Sequence, residues 1–354
     1  MSKVAVLKTR PDSVVADYGR VMELGGYREA LPKDKDTIVK LNLSWSLFFP
    51  GCSTTPWQLE GVLNALYEGG YRNIIPVENR TVVTDPVKGA RLNKWDRVLK
   101  KFGLEFIPLT GVDWIPYEPR GKLLALHEVF HNTNHIPDLF IGKNMVHLPT
   151  QKTHGHTTIT GTMKNAFGGL ITSRRHHCHK KIHEVLVDLL MIQKEIHTGI
   201  FAVTDGTVAG DGAGPRAMHP HVKDFILASE DQVAIDAVSA KMMGFNPLQI
   251  PFIKIAHERG LGVGDFDQID VVGEDVSKVD YGFHAKKSLV IAADQLFRKG
   301  ALSILEPLIF HTPLFHFCIW GSALFHDYVW YPTEGKKRID EFMKTDWGRL
   351  FREY

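Results

Sequence analysis

The densest group of chemically useful side chains lies between residues 147 and 169. It contains two lysines, a histidine and an amide at short spacing: Lys152, His154, Lys164 and Asn165. Residues two apart on an extended chain share a face, so Lys152 and His154 are expected to converge at the end of an apolar strand. Lysines hold a carboxylate or a phosphate, and a histidine moves a proton. We predict an anion site in which His154 is the general acid or base and Asn165 orients the substrate.

The residues between His154 and Lys164 predict the start of a helix. Thr160 or Thr162 is placed to cap that helix, and Thr160 is also a candidate substrate-binding residue. The free N–H groups of a helix N-terminus attract an anion. The structural alternative is a polar loop that only caps itself. Two lysines held close together without an anion would repel each other, which favours the anion site.

A second concentration of basic residues runs from Arg174 to His183, with the sequence RRHHCHKKIH. His179 and His183 are four residues apart, so a helix would present both imidazoles on one face as metal ligands. The pattern lacks the glutamate of the zincin motif, and the neighbouring cations repel a divalent ion. The alternatives are an anion-recruiting loop that uses Arg174 and Arg175, a metal pair, a solvated loop, and a contact with nucleic acid.

Glycines and acids crowd the stretch Asp205–Pro215, directly after a predicted strand. We interpret it as a turn that brings backbone close to a ligand, either as a phosphate cradle or as a site for a hard metal ion, with Gly212 and Gly214 in contact with the substrate. Asp205 and Asp211 would then hold a hard cation, Mg²⁺ or Mn²⁺ in preference to Zn²⁺. A tight turn that needs positive φ is the structural alternative. The stretch matches neither a P-loop nor the dinucleotide-binding fingerprint.

Three more acids have recognisable surroundings. Asp231 precedes a predicted helix and is expected to be its N-cap. Asp236 is surrounded by apolar residues, so we expect it to be buried against a polar partner. Glu78 ends a predicted strand and is a weaker site candidate.

Strands and helices alternate along the chain. The predicted strands are Val4–Leu7, Thr37–Leu43, Asn73–Val77, Met145–Leu148, Ile200–Thr204, Phe225–Ala228 and Ile269–Val272. The predicted helices include Trp57–Leu66, Trp95–Phe102, Val185–Ile196, Val233–Met243 and Pro251–Arg259. This order predicts the α/β class, with a largely parallel or mixed sheet flanked by helices and a helical, aromatic-rich C-terminal segment. We expect an α/β domain over residues 1–277 and a C-terminal arm over residues 278–354.

The C-terminal arm contains an uncharged stretch. From Pro307 to Phe325 there is no Asp, Glu, Lys or Arg, which reaches the length of a membrane-spanning helix. Pro313 and the histidines within and after this stretch argue against a simple span. The apolar residues from 301 to 331 are expected to dock on the body of the protein, on the second subunit of a homodimer, or on a membrane surface.

Composition restricts the class of protein. Apolar residues make up 44% and charged residues 23%, and the formal net charge is +2, so neither disorder nor nucleic-acid binding is expected. The three cysteines, Cys52, Cys178 and Cys318, have no CxxC spacing, which predicts neither a disulfide framework nor a built-in iron–sulfur cluster. The N-terminus lacks the features of a signal peptide, so we expect a cytoplasmic protein, with or without peripheral contact with a membrane.

Taken together, these motifs resemble those of the DUF362 proteins. The matching residues of the central motif are Leu148, Pro149, Lys152, Thr153, His154, Thr160, Gly161, Lys164, Asn165 and Gly168. The likeness extends to Lys40, Asn42, Thr54-Thr55-Pro56, His183, Asp188, Asp205-Gly206, Gly210-Asp211-Gly212, Gly214-Pro215, Ala228-Ser229, Asp231, Ala234, Asp236 and Gly244. It covers residues 3–275 and adds Lys40 and Asn42 to the expected substrate-binding residues. The family is defined by sequence; some members look fused to ferredoxin-like iron–sulfur modules, whose cysteines this chain lacks.

We expect an enzyme that acts on a small or medium carboxylate or phosphate by acid–base and electrostatic catalysis, with or without a divalent metal. One rival is a non-catalytic anion-binding or membrane-associated assembly protein. Another is a redox protein that works with a separate ferredoxin.

Overall fold

The computed structural model describes residues 2–81, 83–131, 134–171, 175–285, 312 and 320–354. The strands are β1 (Lys3–Lys8), β2 (Thr37–Lys40), β3 (Ile74–Glu78), β4 (Ile107–Pro108), β5 (Trp114–Pro116), β6 (His135–Pro137), β7 (Asn144–His147), β8 (Thr150–His154), β9 (Thr158–Ile159), β10 (Gly199–Ala213), β11 (Ala217–Ser229) and β12 (Asp270–Gly273). Ten of them form one sheet in the order β12-β1-β11-β10-β7-β2-β3-β4, with β8 paired to β10 and β9 paired to β8. The remaining two strands, β5 and β6, form a separate antiparallel pair.

The sheet is mixed. Strands β10, β7, β2, β3 and β4 run parallel to one another, whereas β11 is antiparallel to both β10 and β1. The predicted α/β class with a largely parallel or mixed sheet is therefore confirmed.

Helices cover both faces of the sheet. They are α1 (Val14–Gly25), α2 (Tyr27–Ala30), α3 (Pro56–Glu68), α4 (Pro86–Leu92), α5 (Trp95–Lys101), α6 (Leu126–Phe130), α7 (Gly161–Leu170), α8 (Ile182–Ile196), α9 (Gln232–Met242), α10 (Pro251–Glu258), α11 (Lys336–Phe342) and α12 (Asp346–Glu353). Successive strand residues face opposite sides, so Ile38 packs in the core under α7 to α10 while Val39 packs in the core under α1, α3 and α5. Burial of both faces explains why the central strands read as nearly continuous apolar runs.

Two helix starts follow directly from the sequence. The side chain of Thr55 accepts a hydrogen bond from the Gln58 N–H at 3.3 Å, and Pro56 occupies the first turn of α3. Asp231 accepts from the N–H groups of Val233 and Ala234 at 2.9 and 3.0 Å, which confirms the predicted N-cap of α9.

The turn predicted over Asp205–Pro215 is wrong for most of its length. Residues up to Ala213 belong to β10, and the turn is confined to residues 214–216. Pairing with β11 continues along the strand from Asp205 opposite Ile226 to Ala213 opposite Ala217, with one irregularity after Gly206. Cross-strand hydrogen bonds hold the glycine-rich backbone extended, and local composition does not reveal them.

The described part of the C-terminal arm packs on the body. A π-helical segment, Leu324–Gly335, leads into α11 and α12. Most of the uncharged stretch, and residues 301–311 and 313–319 of the predicted docking region, lie outside the described residues. Within the described ranges, no helix is both long and apolar enough to cross a membrane.

Candidate functional site

The site lies at the carboxyl ends of β7, β2 and β3, where parallel sheets place their ligands. Lys40 ends β2 and lies opposite His147, the last residue of β7. Glu78 ends β3, and its Oε1 accepts a hydrogen bond from Lys40 Nζ at 2.7 Å. Both side chains are almost completely buried, so Lys40 and Glu78 neutralise each other inside the protein.

A buried amide network joins three elements to this edge. Asn165, on α7, donates to the Lys40 carbonyl at 3.1 Å, and its Oδ1 accepts from Asn42 Nδ2 at 3.2 Å. Asn42 Oδ1 in turn accepts from Lys152 Nζ, on β8, at 2.5 Å. The amides of Asn42 and Asn165 therefore orient Lys152.

Lys152 is a fully buried amine without a carboxylate partner among the described residues. Its Nζ donates to Asn42 Oδ1 and to the Cys52 carbonyl, the latter at 2.8 Å, and both acceptors are uncharged. Burial lowers the pKa of Lys152 to about 7. The amine is therefore partly neutral near neutral pH.

Lys164 lies on the first turn of α7 and is partly exposed. Among the described residues its Nζ makes no hydrogen bond or ion pair, and it lies 5.6 Å from the centroid of the Phe167 ring. Burial, and then the charge of Arg175, lower the pKa of Lys164 to about 8.

Arg175 lies at the other end of α7 and is buried. Its guanidinium donates to the carbonyls of Ile171 and Gly168 at 3.0 and 2.9 Å, where the negative end of the helix dipole favours a cation. Burial lowers the pKa of Arg175 to about 10. Its predicted companion, Arg174, lies outside the described residues.

We call Lys152, Lys164 and Arg175 the cation cluster. None of the three forms an ion pair with a described carboxylate, and Glu78, the acid at this edge, already binds Lys40. Their charges influence one another, because Lys164 lowers the pKa of Lys152 and Arg175 lowers that of Lys164. Uncompensated charge in a protein interior is costly, so the cluster is suited to a bound anion.

His154 has a defined tautomer. The backbone N–H of His156 donates to His154 Nδ1 at 3.1 Å, so we assign the proton of the neutral ring to Nε2. Burial, followed by the charge of Lys164, lowers the pKa of His154 well below its ordinary 6.5. The neutral ring therefore presents Nε2–H as a hydrogen-bond donor, and the general acid or base role of His154 stays a prediction. Its ring centroid lies 5.9 Å from that of His156, which lies 4.9 Å from that of His179.

The N-terminus of α7 already has an acceptor. Asp236, on α9, accepts from the N–H groups of Thr162 and Met163 at 2.5 and 3.0 Å. Thr160 occupies the capping position, but its side chain makes no capping hydrogen bond. The predicted anion contact with these N–H groups is therefore wrong, whereas the expectation that Asp236 is buried against a polar partner is confirmed.

The structure does not bring the predicted metal ligands together. Asp205 is fully buried and accepts hydrogen bonds from the Thr55 hydroxyl and from the N–H and hydroxyl of Thr207. Asp211 lies farther along β10 and accepts from the His284 N–H at 2.7 Å. His183 stacks on Phe252, while His179 lies beside His156. Among the described residues, no three histidine, cysteine or acidic side chains are grouped as metal ligands.

The glycines of the predicted loop have a packing role. A Cβ on Gly214 would lie 1.9 Å from the Thr153 carbonyl of β8, so only glycine fits there. Gly212 has a φ of +110° and its carbonyl accepts from the Thr153 hydroxyl at 2.9 Å. Both glycines therefore hold β10 against the strand that carries Lys152 and His154.

Sequence reasoning missed part of the site. The Cys52 carbonyl that binds Lys152 leaves no residue signature, because any residue supplies a carbonyl. His147 was not singled out, although its ring hydrogen-bonds Gln193 Oε1 at 2.6 Å and burial lowers its pKa to about 3. Glu78 is a weaker site candidate from the sequence, and its position at the end of a strand is the feature that predicts its place beside Lys40.

Comparison with known proteins identifies the family of the chain. The Thylakoid-associated protein sll1697 of Synechocystis sp. is 27% identical over 120 residues, which are 33% of this chain and 37% of that protein. The match thus spans little more than a third of the relative's length. No solved structure matches the chain. A family model described as "Domain of unknown function (DUF362)" matches residues 37–241, more than half of the 354 residues and the whole of the cation cluster. The chain belongs to the DUF362 family.

Proposed function

We propose that the protein is an enzyme that binds a small carboxylate or phosphate at the cation cluster and moves a proton on it. The observation that carries this proposal is the set of three buried or partly buried cations without a carboxylate partner in the described structure. An anion would supply the missing charge, and it would raise the pKa of both lysines by favouring their charged forms.

The burial, hydrogen bonds and protonation of the four side chains suggest a role for each in this reaction. Lys152 and Arg175 are held in place by hydrogen bonds and supply positive charge, which a bound anion would stabilise. His154 donates from Nε2 to an oxygen that gains negative charge during the reaction. Lys164 takes or gives the proton, because a pKa of about 8 leaves both of its forms populated near neutral pH.

Three further residues act through their neighbours and not on the substrate directly: Lys40, Asn42 and Asn165. Lys40 neutralises Glu78, and the two amides position Lys152. A divalent cation at Asp205 is not part of the proposal, because both oxygens of that carboxylate already accept hydrogen bonds.

Thermal unfolding in the presence of phosphate, sulfate or acetate tests the anion site. Preferential binding to the folded protein stabilises it by about 2.7 kcal/mol when the ligand is at 100 times its Kd. We expect this stabilisation in the wild type and its loss in Lys164→Met, which removes a side chain without hydrogen bonds to described residues. Lys152→Met should lose it too, at a further cost to stability because Asn42 and Cys52 each lose a donor.

The control is Lys254→Met, which removes an exposed lysine from α10. Sodium chloride at equal ionic strength measures the general effect of salt. Equal stabilisation of the wild type and Lys164→Met by all three anions would place the site elsewhere.

A second candidate function is docking at a membrane surface or on another protein. Five large apolar side chains are exposed within ten residues of the arm: Trp320, Leu324, Phe325, Tyr328 and Val329. An exposed apolar patch of this kind is typical of an interaction surface, and Trp and Tyr suit the boundary of a bilayer. The thylakoid association in the relative's name favours a membrane, which this chain would contact peripherally from the cytoplasm.

A further inference from the structure

A lysine that forms a Schiff base must meet four conditions. Its amine must be neutral in part, accessible, and free of strong hydrogen bonds, and a donor must lie near the carbonyl oxygen that it attacks. Anionic substrates add the need for a second cation that holds the carboxylate or phosphate.

The three lysines of the site differ in these respects. Lys40 is buried, and its amine is occupied by hydrogen bonds to Glu78 and to the Leu41 carbonyl. Lys152 is fully buried and gives hydrogen bonds to two oxygens. Of the three, Lys164 is the lysine whose side chain is partly exposed, and it makes no hydrogen bond to a described residue.

The surroundings of Lys164 complete the arrangement. Arg175 and Lys152 are close enough to act on its charge, and neither is paired with a carboxylate among the described residues. His154 is also within electrostatic reach of Lys164 and presents Nε2–H as a neutral donor. The first turn of α7, which carries Lys164, is fixed by Asp236.

From this geometry we propose that Lys164 is a nucleophile that forms a Schiff base with an anionic carbonyl compound, such as a 2-oxo acid or a ketose phosphate. The inference rests on the proposed function, because the positive charge of the cation cluster must first attract the substrate's carboxylate or phosphate. It goes further by naming the covalent bond and the functional group that the substrate must carry.

The reaction balances without an external oxidant. The neutral amine of Lys164 attacks the carbonyl carbon, the C=O π electrons move to oxygen, and His154 stabilises that oxygen through Nε2–H. One proton passes from the new ammonium to the oxygen and gives a carbinolamine. Loss of water, which takes a second proton from nitrogen, leaves the imine; a further proton on the imine nitrogen makes it an electron acceptor for the adjacent carbon.

Borohydride trapping tests the bond directly. Full-length protein is incubated with pyruvate or dihydroxyacetone phosphate, sodium borohydride reduces any imine to a stable secondary amine, and peptide mass spectrometry locates the adduct. We expect at least about tenfold more adduct at Lys164 than at the exposed Lys254, because a lower pKa leaves more neutral amine at neutral pH. Hydroxyacetone, which has a carbonyl but no charge, should show no such preference.

Lys164→Arg separates this inference from the anion site. Arginine keeps the positive charge but forms no imine, so the variant should lose the adduct and keep its stabilisation by phosphate. Adduct at Lys164 no higher than at Lys254 with both anionic probes, while phosphate still stabilises the wild type, would overturn the covalent step alone. Absence of phosphate stabilisation in the wild type would instead overturn the proposed function.

Discussion

At the scale of single residues, the site is distinguished by buried cations that have no carboxylate partner among the described residues. A lysine at the surface costs nothing to keep charged, whereas Lys152 is fully buried and has only neutral acceptors. Its pKa of about 7, and that of about 8 for Lys164, reflect this loss of solvation. Both lysines are therefore sensitive to any anion that enters the site.

Anion binding should depend on pH for this reason. Burial lowers the pKa values of the two lysines to about 7 and about 8 in the free protein, and we expect a bound anion to raise both. Binding therefore takes up protons, and affinity falls as the pH rises, by up to about tenfold per pH unit for each lysine that must be charged. Calorimetry with sulfate, which does not itself titrate in this range, measures both effects in buffers of different ionisation enthalpy.

Lys164→Arg provides the matched control for this experiment. An arginine stays charged, so the part of the pH dependence that comes from residue 164 should vanish while the part from Lys152 remains. A sulfate affinity that is constant from pH 6 to pH 9 in the wild type would contradict the assignment of these lysines to the anion site.

At the scale of secondary structure, α7 is positioned from both ends. Asp236 accepts the N–H groups of its first turn, and Arg175 donates to Gly168 and Ile171 at its last. Gly161 has a φ of +64°, and a Cβ there would lie 2.6 Å from the Asp236 carboxylate. The helix that carries Lys164 and Asn165 thus depends on contacts with α9 and with the segment after α7.

Asp236 variants should show how much this contact stabilises the fold. Asp236→Ala leaves two buried N–H groups without an acceptor, at about 1–3 kcal/mol each. Asp236→Asn keeps one acceptor oxygen and should lose about half as much. Urea unfolding monitored by circular dichroism gives both values from the shift in midpoint at unchanged slope.

A comparison of the wild type with Asp236→Asn at different pH values tests the ionisation of Asp236. Burial raises the pKa of Asp236 to about 7 from its ordinary 3.8, so the folded state binds this proton more tightly than the unfolded state. The stabilisation is complete below about pH 4 and is lost as the pH rises to 7. Relative to Asp236→Asn, the wild type should therefore lose up to about 4 kcal/mol over that range. A difference that does not change with pH would show that Asp236 is already charged at pH 4.

The sequence predicted local features better than pairings between distant segments. Apolar runs located β2 and β7, and Asp231 was recognised as a cap because its partners follow it directly. The extension of β10 through Ala213 was missed because it depends on hydrogen bonds to β11. The cap on α7 was missed for the same reason, since Asp236 lies 74 residues from Thr162.

At the scale of the whole molecule, the C-terminal arm and the site share one loop, residues 44–53. Phe48 of this loop stacks on Phe351 of α12 with ring centroids 3.9 Å apart, and Trp45 packs edge-on against Tyr331 at 5.1 Å. The same loop supplies the Cys52 carbonyl that binds Lys152 at 2.8 Å. The arm therefore fixes a part of the site that lies far from it in sequence.

Deletion of all residues after Asp294 should consequently produce a protein that aggregates. Trp45 and Trp57 are almost fully buried, and they would lose the aromatic partners Trp330, Tyr331 and Trp347 and form an exposed apolar patch. Light scattering measures the aggregation, and liposome flotation of the full-length protein measures membrane contact. Phe351→Ala, which removes one such contact from the complete chain, should lower stability by about 3–5 kcal/mol. The contrary result is a truncated protein that stays soluble with an unchanged number of subunits, together with full-length protein that floats with liposomes. That result would show that the arm is primarily a membrane anchor, because removal of a packed arm cannot leave the body unaffected.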